Sequence, residues 1–449
     1  MALDKTRETA LKILYDIDEF GAYSNISMSK HFNNNELKDL DKAFITGLVN
    51  GTVKWRLSID SLIEQYSTIK IKKMSGFILN ILRLGIYQLI YMHKIPKSAA
   101  VDESVKLAKR YGNKGSVGFV NAVLRSVSKN IDNIKYPSRE DGVVKYLSVK
   151  YSHPEWLVNE WLEEFGEEFA EGILASNNDI PDLCIRVNTL KTTKEDLFKM
   201  LRDIGIEATM SNYIDEALVI CEASNIFRSE LFKDGFFQVQ DESAMLVSKV
   251  LNPKEGELVV DVCSAPGGKA THIAQLMNDK GTVIARDKHL HKIKLIEELS
   301  KKLGITIIKA ELFDAEATDE KLINKADKVI VDAPCTGFGI LRRKPDIKWT
   351  RKLPDIEEIA KAQKKILQSA SSYVKPGGVL LYSTCTLGRK ENENVISEFL
   401  VNNKEFETVD ITGLLPNKLK KEVKNNMIQL FPNRDKTDGF FIAKMQRVR

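Results

Sequence analysis

Leu258-Val259-Val260-Asp261-Val262-Cys263-Ser264-Ala265-Pro266-Gly267-Gly268-Lys269 decides the fold of this chain. A short β-branched run ends in a glycine-bearing turn, and the residues that follow, through His272, Ile273 and Leu276, have helical spacing. Glycines at a strand-to-helix turn let the backbone approach a ligand closely. The turn is not a P-loop, which needs an earlier glycine and a hydroxyl residue after the lysine, and it is not GxGxxG. An ATP-using enzyme is therefore disfavoured. Asp287 follows the next apolar run about twenty residues after Gly268, where a carboxylate accepts hydrogen bonds from ribose hydroxyls, so the spacing favours a nucleoside ligand.

Outward from that turn, Thr282 to Ala285, Thr306 to Lys309, Lys328 to Val331 and Val379 to Tyr382 are further short apolar runs separated by helical stretches. The pattern predicts a doubly wound parallel sheet. Asp314 and Asp332 then fall at carboxyl ends of strands, the edge where such sheets bind ligands, although any one aspartate there can simply cap a helix. Upstream, Cys184 to Asn188 and Ala217 to Ile220 read as strands around a helix from Lys194 to Ile204, a small α/β module. From Leu3 to about Asn130 apolar residues recur at three- and four-residue intervals, as in Ala10, Leu11, Leu14 and Ile17, which predicts an all-helical domain. The expected organisation is multidomain: helical residues 1–135, connector helices and small module 136–235, and a Rossmann-like domain 236–449.

Composition narrows the function. With 43% hydrophobic and 29% charged residues the chain reads as globular and soluble. The stretch Gly76 to Met92 is apolar but interrupted by Asn80, Arg83 and Gln88, which predicts a buried amphipathic helix rather than a membrane span. Met1-Ala2-Leu3-Asp4-Lys5 lacks a basic segment leading into an apolar one, so no secretory signal and a cytoplasmic location are expected. Five widely spaced cysteines argue against a disulfide framework, and neither paired cysteines nor clustered histidines suggest a metal. Residues 51–140 carry roughly +10 against a net +5 for the whole chain, the footprint of a polyanion-binding surface. Candidate phosphate contacts there are Lys54, Arg56, Lys70, Lys72, Lys73, Arg110, Lys114 and Arg125; each singly also reads as a solvated surface charge.

Two cysteines stand apart. Cys335 in Asp332-Ala333-Pro334-Cys335 and Cys385 in Tyr382-Ser383-Thr384-Cys385-Thr386 each follow a predicted strand, so both fall at the same sheet edge as the glycine turn. A lone cysteine is most often a small buried hydrophobe, but two at one edge suggest chemistry. Arg342, Arg343 and Lys344 follow Cys335, where their charge would favour a thiolate. A thiolate adding to C6 of a cytosine makes C5 nucleophilic, and a second thiol can help dismantle the adduct.

The strings DVCSAPGGKATHIA, DAPCTGFGILRRKPDIKW and YSTCTLGRKENE resemble the motifs of the RNA cytosine-5 methyltransferase family, and GFVNAVLR in the helical region resembles the NusB-type RNA-binding fold. The combination is similar to that family's RsmB (Sun) branch, which acts on bacterial small-subunit (16S) ribosomal RNA. The resemblance implies an all-α NusB-like domain, a small RRM-like α/β module and a Rossmann-like methyltransferase domain using S-adenosyl-L-methionine. It implies that Cys385 attacks C6, that Cys335 assists breakdown of the adduct and product release, and that Asp332 lies between donor and target base. Cys263, Ser264, Ala265, Pro266, Gly267, Gly268 and Lys269 would wrap the donor, Asp287 would hold its ribose and Asp314 would lie near its adenine. It further implies a monomer acting on small-subunit ribosomal RNA to form 5-methylcytosine, with no membrane and no metal. Ala270 and Thr386 depart from the threonine and serine common at those places. The same chemistry on transfer RNA, and an inert RNA-binding assembly factor, are the competing expectations. Two intact thiols and a full glycine loop weigh against the inert one.

Overall fold

The structure, a computed structural model, describes residues 3–33, 37–221 and 226–448; Met1 and Ala2 of the amino-terminal stretch lie outside the described residues. The chain forms two compact units, one of residues 1–179 with 341–351 and one of residues 180–340 with 352–449.

The first unit is helical: α1 (Lys5–Phe20), α2 (Ser24–Asn33), α3 (Asp39–Lys54), α4 (Arg56–Tyr66), α5 (Gly76–Tyr91), α6 (Lys97–Tyr111), α7 (Lys114–Lys129), α8 (Val143–Tyr151), α9 (Glu155–Phe165) and α10 (Glu167–Ser176). The three- and four-residue spacing works as expected, since Ala10, Leu11, Leu14, Leu48 and Val53 are buried in one cluster. α5 is the central helix, and its polar residues are buried along with the apolar ones: Asn80, Arg83 and Gln88 are each no more than 3% exposed. A buried helix was the expectation, and each of its polar groups is satisfied in place. Asn80 donates to the Gly76 carbonyl and Gln88 to that of Leu84, while Gln88 accepts from Arg7. Arg83 pairs with both Asp60 oxygens at 2.6 and 2.7 Å and with Asp18 at 2.5 Å. A buried guanidinium persists because its donors are matched by carboxylates. No helix among the described residues is long and apolar enough to cross a membrane.

Residues 341–351 close the carboxyl end of α3. The Trp349 indole donates to the Val53 carbonyl at 2.7 Å and the Lys348 ammonium to that of Lys54 at 2.9 Å, while Asp346 accepts from the Ser24 amide. Last-turn carbonyls lack helical partners, and a cation there also complements the helix dipole. Lys348 is 1% exposed, and burial together with nearby Lys54 pushes its pKa well below the usual lysine value.

The second unit starts with a four-stranded antiparallel sheet: β1 (Leu183–Val187), β2 (Ala208–Met210), β3 (Ala217–Ile220) and β4 (Phe237–Val239) in the order β2-β3-β1-β4, with α11 (Lys194–Asp203) between β1 and β2. Then come α12 (Glu242–Leu251), β5 (Leu258–Asp261), α13 (Gly268–Leu276), β6 (Thr282–Asp287), α14 (Leu290–Leu303), β7 (Ile308–Leu312), β8 (Ala326–Asp332), α15 (Leu353–Ser371), β9 (Val374–Thr384), α16 (Glu393–Asn402), β10 (Phe406–Thr408), β11 (Val423–Lys424), β12 (Met427–Leu430) and β13 (Phe440–Arg447). The strand order is β11-β12-β13-β9-β8-β5-β6-β7. Strands β5 to β9 pair in parallel, and consecutive residues Val259 and Val260 enter different core clusters, as in a sheet covered on both faces. The sheet is not parallel throughout: β13 lies antiparallel on β9 and β12 on β13. The chain steps outward from β5 through β6 and β7, then returns to β8 on the other side, so the switch point falls between β5 and β8.

Arg83→Ala leaves Asp60 without its guanidinium and Asp18 with Arg56 alone, and is expected to destabilise the protein by about 3 kcal/mol, measured by urea unfolding.

Candidate active site

The turn after β5 is built on glycine where it must be. Gly267 has φ +100°, and a Cβ there would lie 3.3 Å from the Ile296 backbone. At the head of the turn, Asp261 is fully buried, and among the described residues neither its carboxylate oxygens nor the buried Ser264 hydroxyl has a hydrogen-bond partner. Burial, with repulsion from Asp332, raises the Asp261 pKa to about 7. Unsatisfied buried acceptors beside an open backbone turn fit a ligand carrying an amino group. Burial and the neighbouring Asp261 raise the Cys263 thiol well above its usual pKa, so Cys263 is a packed thiol rather than a nucleophile.

Asp287 and Asp314 lie at the carboxyl ends of the next two strands, the edge read from the sequence. Asp287 ends β6, accepting from the His289 amide at 3.1 Å and from Lys292 at 3.3 Å. Asp314 is exposed and accepts from the Glu316 amide. Both carry the local capping contacts that an aspartate makes in such turns, and both keep acceptor capacity for hydroxyl or amino donors.

Across the switch point, Asp332 is clamped. One oxygen accepts from Lys269 at 2.7 Å and the other from the Ser383 hydroxyl at 2.9 Å. Burial alone would lower the Lys269 pKa, but the Asp332 charge outweighs it and the net shift is upward, so Lys269 stays an ammonium. The two cysteine sulfurs lie 3.3 Å apart. The hydrogen bond with Cys385, followed by burial, holds the Cys335 thiol well above its usual pKa. The thiolate-favouring field expected of Arg342, Arg343 and Lys344 is thus overturned at Cys335, and those residues belong to the first unit.

What fixes the two sulfurs is a residue the sequence reading did not single out. Glu391, 1% exposed, accepts from the Thr336 amide at 2.9 Å and from the Thr336 hydroxyl at 2.5 Å. The Thr336 and Thr386 hydroxyls are 2.6 Å apart, and Gln363 donates to the Pro334 carbonyl and to Glu391. Each cysteine is therefore followed by a threonine held in one buried carboxylate network. Gly339 pins the first loop to the second: its amide donates to the Cys385 carbonyl, and a Cβ there would meet the Gly439 carbonyl oxygen at 2.0 Å. The only signal for Glu391 was its place within the quoted YSTCTLGRKENE string.

Of the candidate phosphate contacts, Lys70, Lys72, Lys73, Lys114 and Arg125 are exposed, as is Arg110, which also pairs with Glu8. Lys54 and Arg56 are not free surface charges. Lys54 donates to the Asn178 and Asp179 carbonyls, and Arg56 is half-buried against Asp18.

A parallel sheet with a glycine turn, edge carboxylates and paired thiols, preceded by a small antiparallel sheet and a helical unit, defines a multidomain methyltransferase. The chain belongs to the family described as 16S rRNA methyltransferase RsmB/F, whose model matches residues 248–446; a ferredoxin-like domain of the same family matches 153–227 and the NusB family matches 4–129. It is 39% identical to the probable ribosomal RNA small subunit methyltransferase B of Bacillus subtilis, over the full length of both chains, and 33% identical to that of Synechocystis over 98% of this chain and 99% of the relative. The solved structure of PH0851 aligns over 99% of both chains at 28% identity with a TM-score of 0.82. NSun6 from Pyrococcus horikoshii, solved with SFG, aligns over 66% of this chain and 98% of that one at 26% identity with a TM-score of 0.58.

Variants at two positions test this geometry. The native state holds a proton on Asp261 that the unfolded chain releases near pH 3.8, so stability falls as pH rises from about 4 through about 7. Asp261→Asn removes that fall and is expected to exceed the unmodified protein in stability by about 2 kcal/mol at pH 8, with little difference at pH 4, in paired thermal melts. Glu391→Ala leaves the Thr336 amide without its acceptor, and urea unfolding is expected to show a loss of about 2–3 kcal/mol, partly restored in Glu391→Gln.

Proposed function

We propose that this protein transfers a methyl group from S-adenosyl-L-methionine to C5 of a specific cytosine in 16S ribosomal RNA through a covalent adduct between Cys385 and C6. The observation that carries the reading is the approach of the Cys335 and Cys385 sulfurs to 3.3 Å at the edge where Lys269 clamps Asp332.

The chain's own groups divide the work. Cys385, as thiolate, adds to C6 and places an electron pair at C5. When bound, S-adenosyl-L-methionine supplies an electrophilic methyl on a sulfonium centre. The residues Cys263 to Lys269 would wrap this donor, with the unpartnered Asp261 oxygens available to its amino group, Asp287 to its ribose and Asp314 near its adenine. Asp332, oriented by Lys269 and Ser383, faces the cytosine ring and holds it against the donor. Transfer of the C5 proton to a water molecule returns its electron pair to the ring as the C5–C6 double bond and expels the Cys385 thiolate. Cys335, whose raised pKa keeps it protonated, is the proton-bearing thiol beside that leaving sulfur. Cytosine C6 is reached only when the base leaves its stack, so the target lies in a loop or is flipped out.

Residues 1–135 supply the RNA-binding surface beyond the pocket, through the exposed cations Lys70, Lys72, Lys73, Lys114 and Arg125. The protein acts as a cytoplasmic monomer on this reading.

Incubation of small-subunit ribosomal RNA with S-adenosyl-L-methionine and Cys335→Ala protein is expected to give a covalent protein–RNA band on a denaturing gel, and Cys385→Ala protein none. The reverse pattern exchanges the two roles. No band with either, and no methyl incorporation by the unmodified protein, rejects the mechanism.

A further inference from the structure

A cavity of about 480 Å³ in the second unit extends beyond the groups that methyl transfer uses. Such a volume is within the range of about 300–1,000 Å³ typical of small-molecule sites. The glycine turn, from Ser264 to Lys269, and Asp332 form part of its wall, and Gln238 and Gln240 at β4, Phe232 just before it and Lys302 on α14 carry it beyond that turn. Asp287 and Asp314 do not line it.

One of its polar groups, Gln240, is held in a fixed orientation. Gln240 is 8% exposed, and its carboxamide oxygen accepts from the fully buried guanidinium of Arg186, which also donates to the Gly268 carbonyl at 2.7 Å and to the Thr271 hydroxyl at 3.0 Å. A guanidinium only donates, so it selects the oxygen of Gln240 and leaves the amide nitrogen, a double donor, as the end available to a ligand. The Gln238 oxygen is buried without a partner among the described residues. Its amide nitrogen reaches only the Val239 carbonyl, at 3.4 Å. Lys302 has no carboxylate within ion-pair distance among the described residues, and its ammonium lies 3.2 Å from the centre of the Phe232 ring. Glu298, one helical turn earlier, adds an acceptor to the wall.

A fixed donor, an unsatisfied acceptor and an unpaired cation are the complement of a base edge and a phosphate. Single-stranded RNA is read in this way, by hydrogen bonds to exposed base edges, while phosphates set position. The Phe232 face carries Lys302, so the occupant is read at its edge rather than by stacking on that ring.

We propose that this cavity reads a ribonucleotide adjoining the methylated cytosine, its base edge held by Gln238 and Gln240 and its phosphate by Lys302. The inference rests on the RNA-methylation reading above and is independent of which thiol attacks. Because Asp332 and Lys269 share the cavity wall, the nucleotide in it is the immediate neighbour of the target, and the protein carries sequence preference next to its methylated base.

The test is binding of sixteen seven-nucleotide RNAs, with a central cytosine and every combination of its two neighbours, to the full-length protein saturated with S-adenosylhomocysteine. Fluorescence anisotropy is expected to show at least a tenfold preference at one neighbouring position. Gln238→Ala and Gln240→Ala are each expected to flatten that preference to within twofold with S-adenosylhomocysteine affinity unchanged; Gln238→Ala keeps the melting temperature, whereas Gln240→Ala lowers it because the buried Arg186 guanidinium loses an acceptor. Lys302→Met is expected to weaken all sixteen about tenfold and leave their ranking intact. Equal binding of all sixteen by the unmodified protein overturns the proposal. So does a loss of S-adenosylhomocysteine affinity in the glutamine variants, which assigns the cavity to the donor. Failure of the cytosine-C5 reading is seen separately, as absent methyl incorporation in RNAs that still bind with preference.

Discussion

The parallel pairing of β8 with β9 is the constraint on which the site depends. Its register sets Asp332 opposite Ser383, and that one pairing places three groups at once. The Ser383 hydroxyl reaches an Asp332 oxygen because the two residues are partners across the ladder, and Cys335 and Cys385 follow three and two residues beyond them. A slip of one residue would turn every side chain of a strand to the other face of the sheet. Cover by helices on both faces makes such a slip costly, since Val329, Val331, Leu380 and Tyr382 are all buried in one cluster.

The register alone does not bring two sulfurs together, because both lie on loops. That step belongs to Glu391. Burying a carboxylate is favourable only when its lone pairs are matched, and here the threonine after each cysteine, with Gln363, supplies the donors. The network exchanges stability for geometry in a way an apolar core could not, since hydrogen bonds have direction and methyl contacts do not. On the opposite side of the glycine turn Arg186 does similar work, tying β1 to the first turn of α13 through the Gly268 carbonyl and Thr271.

The parts of this arrangement that were legible in the sequence share one property: they sit where an apolar run stops. Asp287, Asp314, Asp332, Cys335 and Cys385 could all be placed at one sheet edge because the strands before them are short and plainly β-branched. What such a reading does not supply is the partner of a polar residue inside an element. Arg83 in α5 and Arg186 in β1 are buried, each chosen by partners distant in sequence, Asp60 and Gln240 among them. Lys54 and Arg56 looked like surface cations because charge alone carries no information about burial. The antiparallel strands β12 and β13 gave no βαβ rhythm to follow; their pairing depends on the long edge that β9 offers.

The closure of α3 by Lys348 and Trp349 joins residues 294 and 296 positions apart. A chain emerging from the ribosome at roughly 5–20 residues per second makes that partner available roughly 15–60 seconds after the helix itself. During that interval the helical unit exists with the last carbonyls of α3 open and with the seat for the indole empty. Its final compaction is therefore a late event in synthesis, timed by the appearance of a segment that lies within the catalytic half of the sequence. The amino-terminal helices of this protein are made first and finished after the Cys335 loop has been translated.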